Sequence, residues 1–344
     1  MDETTPLFGD VPPVYADDAQ LSKRTKALLY SVTTFVAIAS LYLFVIFLPG
    51  YYIPQAEKLK EITRITELGA SLIPVPHKGE IERLIMVGDI HGHYTEFEEL
   101  LNKVEYNAEK GDHLLVLGDF ITKGPDSLKV LDYLIDHDVD CIMGNHEFYV
   151  LQFYATFHRL DQPTFYYNFS DSQPQFQLKK NIQNDPEFRL ARRLQPAHVR
   201  YINNCSIIKK LGHVPLKGNK LAPGVAVHAG LRWDLSLADQ NPIDNIEMRA
   251  LMAPYYNVTT PDPDFPNSEK WHRVYNEQQG KPFANFVVYY GHAASQGLKL
   301  RKYTKGLDSA CDKGGKLSAM VISRRKTRDN DEYELMQEIV QVNC

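Results

Sequence analysis

The chain has 344 residues, of which 24% are charged and 44% are hydrophobic, and its net charge is −5. This composition indicates a globular protein and excludes a largely disordered chain or a polytopic membrane protein. The slight negative charge argues against a protein that coats nucleic acids, so no nucleic-acid partner is expected, and four cysteines without a CxxC spacing argue against a structural zinc cluster.

The N-terminal region predicts a membrane anchor. Residues 1–26 are largely polar, with an acidic, proline-containing start, and we expect a disordered cytosolic tail that could carry a signal for the sorting machinery. Residues 27–48 contain no charge and no proline, and as a helix they would be about 33 Å long, enough to cross a ~30 Å hydrocarbon core once. A cleavable signal peptide is the alternative, but its apolar stretch would usually be only about 7 to 15 residues long.

The flanking charges predict the orientation of this transmembrane helix. Lys23, Arg24 and Lys26 lie at its N-terminal end, so the positive-inside rule places the N-terminus in the cytosol. Three glycosylation sequons follow on the other side of the helix, as a luminal domain requires, and they begin at Asn168, Asn204 and Asn257. The sequence thus predicts a single-pass type II membrane protein with a stalk at residues 49–79 and a compact luminal domain at residues 80–344.

A strand–helix pattern repeats at the start of the luminal domain. Residues 83–87, 113–117 and 139–143 are short apolar runs that end at glycine-containing motifs, which predicts buried strands. Apolar residues at helical spacing lie between these runs, for example Phe97, Leu100, Leu101 and Val104. The pattern predicts a βαβαβ unit in which right-handed crossovers bring the carboxyl ends of all three strands to one sheet edge.

Metal-binding residue types follow each predicted strand. They are Asp89, His91, Asp119, Asn145 and His146 in the βαβαβ unit, and His228 and His292 after two later strand-like runs. Carboxylate, imidazole and amide ligands suit Mn, Fe or Zn, and a carboxylate can bridge two ions. Because two such ions polarise a phosphoryl group and deprotonate a shared water near neutral pH, this edge predicts a phosphohydrolase site.

The chain contains five motifs in order, namely GDIHGH, GDFITKGP, GNHE, HAG and GH. Together they resemble the signature of the calcineurin-like metallophosphoesterases, in the phosphoprotein phosphatase branch. The resemblance covers residues 81 to about 325. The resemblance implies an α/β fold with a central β-sandwich flanked by helices, and a metal-dependent phosphohydrolase. It implies that Asp89 and His91 bind a first metal ion, that Asp119 bridges two ions, and that the second site is completed by Asn145, His228 and His292. His146 would protonate the leaving oxygen.

Three residues depart from the pattern of the protein serine/threonine phosphatases, and they point to another group within the family. The second motif of those phosphatases typically reads GDxVDRG. In this chain Thr122 replaces the aspartate that orients the acid histidine, and Lys123 replaces an arginine that binds phosphate. Met143 replaces another arginine, which precedes GNHE in those phosphatases. We expect Asp126 or a water molecule to orient His146 instead. The motifs GDFxxKGPDSLKVLDYL, GLDSAC and GGKL resemble the ApaH-like phosphatases, whose relatives hydrolyse phosphoanhydride chains.

Together with the anchor and the sequons, these motifs resemble the fungal vacuolar endopolyphosphatases of the ApaH-like group. This resemblance implies inorganic polyphosphate as the substrate, a vacuolar luminal location, and two divalent ions with zinc as one of them, although Mn, Co, Fe or Mg would also fit. The alternatives are a dinucleoside polyphosphate hydrolase, a Ser/Thr protein phosphatase and an inactive phosphate-binding receptor.

A linear polyanion requires a cationic groove, and several basic residues lie close to the motifs. We expect substrate contacts from the cluster after His292 and from two motif positions, namely Lys299, Arg301, Lys302, Lys305, Lys123 and Arg232. Arg192 and Arg193 lie further from any motif and are expected to be solvated.

Two further expectations concern the middle of the chain and its cysteines. The insertion at residues 148–210 either roofs the site or extends the helical layer, and we favour the extension. Cys141 and Cys311 are expected to be reduced, whereas Cys205 and Cys344 could pair in an oxidising lumen.

Overall fold

The computed structural model describes residues 22–52, 56–73, 78–166, 184–216, 220–326 and 333–344. Most of the predicted cytosolic tail, residues 1–21, and the sequon at Asn168 lie outside these ranges. The chain divides into two units, Met1–Ile53 and Pro54–Cys344. In the first unit, Lys23–Tyr51 is one continuous helix with a mean hydropathy of 2.3, which by length and composition is apolar enough to cross a membrane.

The first two described helices belong to the first unit. The others belong to the second unit and are short. In chain order they are α1 (Lys23–Tyr42), α2 (Leu48–Tyr52), α3 (Tyr94–Lys103), α4 (Ser127–Asp136), α5 (Asn145–His158), α6 (Pro186–Ala191), α7 (Pro196–Asn204), α8 (Pro242–Glu247) and α9 (Trp271–Glu277). A π-helical stretch, Leu43–Phe47, joins α1 to α2.

The strands belong to the second unit. In chain order they are β1 (Ile65–Glu67), β2 (Ala70–Ser71), β3 (Gly79–Glu80), β4 (Arg83–Val87), β5 (Asp112–Val116), β6 (Asp140–Cys141), β7 (Ile208–Leu216), β8 (Lys220–Val227), β9 (Ala250–Met252), β10 (Thr259–Thr260), β11 (Ser268–Lys270), β12 (Val287–Tyr290), β13 (Lys299–Leu300), β14 (Thr304–Gly306), β15 (Lys316–Lys326) and β16 (Tyr333–Asn343).

Two large sheets form a β-sandwich, which confirms the predicted fold class. Within the described chain, one sheet has the order β16-β15-β4-β5-β6 and the other β1-β7-β8-β12-β14-β13. Strands β4, β5 and β6 are parallel, as the βαβαβ pattern predicts. Smaller sheets, β10-β9-β11 and β2-β3, lie outside the sandwich.

The alternation of side chains along β4 explains why this sheet is covered on both faces. Leu84 and Met86 are buried in the cluster between the two sheets, where Tyr289 of β12 contributes a fully buried ring. Ile85 and Val87 point the other way, into a second cluster that contains the predicted helical residue Phe97. Both faces are apolar because successive side chains of a strand alternate between them.

The prediction of a stalk at residues 49–79 is wrong for its C-terminal part. Ile62, Leu68 and Leu72 are buried in the core, and β1 pairs in parallel with β7 from Ile65 to Glu67. The apolar periodicity of this stretch is too short to identify a strand whose partner lies some 140 residues later. The compact unit therefore begins well before residue 80.

All four cysteines form disulfides, which corrects the prediction for two of them. Cys141 of β6 is bonded to Cys205 after α7, and Cys311 is bonded to Cys344. Cys141 and Cys311 are therefore oxidised, and the candidate pair of Cys205 with Cys344 does not form. Each bond joins positions that are far apart in sequence, so residue spacing could not select the pairing.

The insertion at residues 148–210 extends the helical layer in its described parts, as expected. Helix α5 carries Phe148, Leu151 and Tyr154 into the core, and α7 contributes Val199 and Ile202. Helix α6 lies against α5 and also reaches the polar edge of the sandwich, where the candidate site lies.

Candidate active site

The predicted site residues converge at one edge of the sandwich. They follow β4, β5, β6, β8 and β12, and their side chains line or adjoin a pocket of about 120 Å³. The pocket is lined by Asp89, His91, Asp119, Asn145, His146 and His292, and His228 lies fully buried beside Asp119. Parallel strands place their carboxyl ends together, so residues distant in sequence meet here.

Asp119 lies at the centre of this arrangement. Two groups of side chains could each hold a metal ion, His91 with Asp119 and His146, and Asp119 with His228 and His292. Asp119 Oδ2 lies 3.7 Å from His91 Nε2, and Asp119 Oδ1 lies 3.3 Å from His228 Nε2. One carboxylate thus faces both groups, as a bridging ligand must.

Backbone carbonyls fix which imidazole nitrogen faces the pocket. His228 Nδ1 lies 2.8 Å from the Leu117 carbonyl, His91 Nδ1 lies 3.3 Å from that of Ile121, and His292 Nε2 lies 3.1 Å from that of Glu247. Because a carbonyl only accepts, each of these nitrogens carries the hydrogen. In the neutral ring, the opposite nitrogen then carries the lone pair that a metal ion requires.

The charge balance of the pocket fits divalent cations. Asp89, Asp119 and Asp308 are all buried. Burial, together with the nearby Asp308 and Asp119, raises the pKa of Asp89 well above its ordinary value. Burial lowers the pKa of His91 to about 4, so its ring is neutral, which is the metal-binding form. Clustered carboxylates with the neutral imidazole of His91 favour a bound cation.

The backbone of the site is held in costly conformations. His91, Asp119 and His292 have φ angles of 48°, 50° and 66°, in the left-handed region that residues other than glycine rarely adopt. Each such residue costs about 1 kcal/mol or more, and the cost is typical of functional sites. Glycines leave space beside the carboxylates, since a Cβ at Gly144 or Gly291 would collide with Asp119 or Asp89.

Glu147, to which the sequence assigned no role, joins two of the motif loops. Its buried carboxylate accepts hydrogen bonds from the backbone N–H groups of Asp119 at 2.7 Å, Phe120 at 3.0 Å, Ile121 at 3.2 Å and Gly144 at 3.0 Å. The last residue of GNHE thereby holds the loop that carries Asp119 in place.

The partner of His146 differs from both predicted ones. His146 Nδ1 lies 2.6 Å from Glu187 Oε1 and 3.0 Å from Thr122 Oγ1. Asp126 instead pairs with Lys129 at 2.9 Å, so the prediction that Asp126 orients the histidine is wrong. Burial alone would lower the pKa of His146, but the carboxylates of Asp119 and Glu187 outweigh it and raise that pKa.

Lys123, which the sequence predicts to contact substrate, lines the metal pocket. Its Nζ lies 2.8 Å from His91 Nε2 and 3.2 Å from Asp312 Oδ2, so an ammonium group lies at an atom that is expected to bind metal. Two further basic residues line the same pocket, Arg249 and Lys313, and neither was predicted.

The structure places the other predicted substrate-binding residues in different environments. Lys299 and Arg301 line a neighbouring cavity of about 250 Å³ that also contains Ser295, which in turn lines the metal pocket. Lys302 is exposed, with its Nζ 4.9 Å from the centre of the Tyr303 ring. Lys305 is buried and donates to the Arg301 carbonyl at 2.6 Å, and burial lowers its pKa.

Arg232 is also placed away from the metal pocket. Its guanidinium donates to both carboxylate oxygens of Asp234, at 3.0 and 2.6 Å, and it lines none of the cavities described here. Of the predicted sequons within the described residues, Asn204 and Asn257 are both exposed.

Comparison with known proteins agrees with this geometry. Residues 82–296 match the family model for calcineurin-like phosphoesterases. The zinc-dependent endopolyphosphatase of Saccharomyces cerevisiae is 30% identical over 300 residues, covering 84% of this chain and 87% of the relative.

Symmetrical bis(5'-nucleosyl)-tetraphosphatases also match. The enzyme of Wigglesworthia glossinidia brevipalpis is 40% identical over 79 residues, only 22% of this chain and 29% of the relative. A solved structure of a candidate diadenosine tetraphosphatase superposes with a TM-score of 0.57 at 23% identity, covering 81% of this chain and 97% of that chain, and so shares the fold. On the family match, the long similarity to the yeast protein and the shared fold, the chain belongs to the calcineurin-like metallophosphoesterases.

Proposed function

We propose that this metal-dependent phosphohydrolase is an endopolyphosphatase, which hydrolyses internal phosphoanhydride bonds of inorganic polyphosphate. One observation supports the proposal most directly. A complete set of metal-ligand candidates surrounds Asp119, and cavities lined by basic residues lie next to it. The yeast relative named as a zinc-dependent endopolyphosphatase supports the substrate and the choice of zinc.

The side chains divide into two ligand sets that share Asp119. Asp89, His91 and Asp119 would hold one ion, and Asp119 with Asn145, His228 and His292 would hold the other. When bound, two such ions supply Lewis acidity toward phosphoryl oxygens and a nucleophile from water at neutral pH. Asn145 Oδ1 lies 3.1 Å from His228 Nε2, close enough for both to share one ion.

His146 is the proposed general acid. Its Nε2 lies 3.9 Å from Asp119 Oδ2 at the pocket, while Nδ1 is held by Glu187. Hydrolysis adds water across the P–O–P bond, so the leaving phosphate oxygen needs a proton. A carboxylate behind the ring stabilises the protonated imidazolium and aims its Nε2–H at the pocket. Glu187 is thus proposed to do what the missing aspartate of the second motif does elsewhere in the family.

The location is part of the proposal. We propose that residues 27–48 span the membrane once, with the N-terminus in the cytosol and the catalytic unit in the lumen of the vacuole. The apolar helix, the exposed sequons at Asn204 and Asn257 and the two disulfides support this topology, because disulfides and glycans form in the secretory pathway and not in the cytosol.

A comparison of substrates tests the proposed activity. The full-length protein in detergent is incubated with long-chain polyphosphate, diadenosine tetraphosphate or a phosphopeptide, with Zn, Mn, Co or Mg. We expect polyphosphate to be shortened fastest, with intermediate lengths visible on a gel. Faster hydrolysis of diadenosine tetraphosphate would favour the dinucleoside polyphosphate hydrolase, which the tetraphosphatase relatives support as a second candidate. No hydrolysis with any metal would favour an inactive receptor.

A further inference from the structure

Helix α6 and the loop that precedes α4 enclose a cavity of about 420 Å³ next to the metal pocket. Among the described residues, four basic ones line this cavity, which we call the insertion arm, namely Lys123, Lys129, Arg189 and Arg193. One acidic residue, Asp126, lines it within the part of the chain that the structure describes, and it pairs with Lys129. Lys123 is also paired, with Asp312 at 3.2 Å, so Arg189 and Arg193 are the two cations that leave the cavity positively charged.

The two arginines of the insertion arm are available for a ligand. Both are exposed, and Arg189 makes only a long contact of 3.5 Å to the Asn184 carbonyl. Arg193 makes no ion pair with any residue that the structure describes. Arg192, between them in sequence, differs because its guanidinium packs over the rings of Phe157 at 5.4 Å and Phe188 at 6.0 Å. Guanidinium groups that are already paired would gain less from an anion.

The insertion arm joins the metal pocket at Lys123, which lines both. A second basic cavity joins the same pocket at Ser295, and we call it the hairpin arm. Its basic residues are Lys270, Arg273, Lys299 and Arg301. Lys123 contacts His91 of one ligand set, whereas Ser295 closely follows His292 of the other. The two arms thus adjoin the metal pocket beside different ligand sets.

We propose that the insertion arm is a second polyanion-binding site, so that one phosphate chain occupies both arms while a phosphoryl group between them reacts. The proposal rests on the proposed function and specifies how its substrate binds. An enzyme that removes terminal phosphate needs chain contacts on one side of the scissile bond only. Contacts on both sides hold an internal bond at the metal pocket, which explains internal cleavage.

The test compares the R189S/R193S variant of the full-length, zinc-loaded enzyme with the matched control R192S. We expect KM for long-chain polyphosphate to rise about tenfold in R189S/R193S, because two screened charge contacts are lost, and to stay within about twofold in R192S. Tripolyphosphate and p-nitrophenyl phosphate are too short to fill both arms, so their KM values should not change. Products should also shift from intermediate lengths to short terminal fragments.

The salt dependence gives an independent readout. By analogy with phosphate contacts on nucleic acids, the slope of log KM against log salt should fall by about 0.7 to 0.9 for each arginine removed. An unchanged KM and an unchanged product pattern in R189S/R193S would overturn the insertion arm while leaving the proposed activity intact. An equal rise of KM for all three substrates would also overturn it, because a polyanion site acts on long chains only.

A binding measurement distinguishes failure of the proposed function from failure of the insertion-arm proposal. If the wild-type enzyme does not cut polyphosphate, binding of fluorescent long-chain polyphosphate to the same holoenzymes decides the question. Weaker binding in R189S/R193S than in R192S would support the insertion arm without the activity. Equal binding in both variants would overturn it.

Discussion

At the scale of single residues, Asp119 is the proposed bridge between two metal ions. Its two oxygens face His91 and His228, and it lies in a left-handed backbone conformation that a ligand role would justify. Asp119→Asn keeps the shape but removes the charge shared by both ligand sets. We therefore expect activity to fall by more than about a hundredfold with the fold intact, since several kcal/mol of transition-state stabilisation depend on the ions.

Metal analysis and turnover of the purified Asp119→Asn protein check this prediction. The content of divalent metal should fall together with activity, while the circular dichroism spectrum should not change. Polyphosphate turnover within tenfold of the wild-type value would contradict a two-metal site.

Loss of His146 should reduce the rate without removing the metal ions. General-acid catalysis typically contributes 10²- to 10⁴-fold, and because a terminal phosphate is a fairly good leaving group we expect a loss of about 10²-fold for His146→Asn. Steady-state kinetics with metal content measured on the same sample test this. An unchanged kcat with metal bound would assign the histidine a structural role.

Glu187 should act through His146 and therefore in a substrate-dependent way. Glu187→Gln keeps the contact to Nδ1 but removes the charge that stabilises the imidazolium, so we expect kcat to fall about tenfold for phenyl phosphate, whose leaving group needs a proton. For 2,4-dinitrophenyl phosphate, whose leaving group does not, kcat should barely change.

The matched control is Asp126→Asn, at the residue that the sequence suggested and that pairs with Lys129 instead. This variant should leave both rates unchanged. An equal loss for both substrates in Glu187→Gln would show that the glutamate acts on folding or metal binding and not through the acid.

The metal-ligand candidates could be predicted from the sequence, whereas Glu187 could not. The ligand candidates are found because each lies within a short motif at the end of an apolar run. Glu187 lies in no motif, and its contact with His146 spans 41 residues across the insertion. Neither periodicity nor spacing contains information on such a contact, so only the packing of α6 against α5 reveals it.

At the scale of elements, the hairpin β13–β14 places basic residues that are close in sequence in different environments. Lys299 and Arg301 line the hairpin arm, but Lys305 is buried and bonded to a backbone carbonyl. The sequence predicts four equivalent cations because it does not show that β14 is an inner strand of its sheet. The stalk is misassigned for a related reason, because β1 gains its partner only from β7.

The Cys141–Cys205 disulfide should stabilise the element pair that carries the insertion. It joins β6 to the end of α7 over a sequence separation of 64 residues. Loop-closure entropy for a loop of this length corresponds to about 4 kcal/mol, and measured effects are typically 2 to 4 kcal/mol. We expect the C141S/C205S variant to lose free energy of unfolding in that range.

Denaturant unfolding of the oxidised wild-type and variant proteins measures this loss. Because neither cysteine lines the metal pocket, kcat for p-nitrophenyl phosphate should not change under native conditions. Equal unfolding midpoints for the two proteins would contradict a stabilising disulfide.

At the scale of the whole molecule, the fold was largely predictable and the boundary of the compact unit was not. Three parallel strands with helices between them follow from apolar runs and helical spacing, and the family motifs imply the sandwich. The second sheet depends on pairings such as that of β8 with β12, which join residues more than 60 positions apart. Such pairings are set by burial of the whole core, which local patterns do not encode.

The topology of the whole chain gives the last prediction. If residues 27–48 span the membrane with the N-terminus in the cytosol, Asn204 and Asn257 face the lumen, and both are exposed enough to accept a glycan. We expect endoglycosidase to increase the gel mobility of the wild-type protein, and N204Q and N257Q each to remove one step of that increase. On sealed microsomes, protease should digest an N-terminal tag and leave a C-terminal tag intact. A cleaved signal peptide would instead remove the N-terminal tag before protease is added, and digestion of the C-terminal tag would place the catalytic unit in the cytosol.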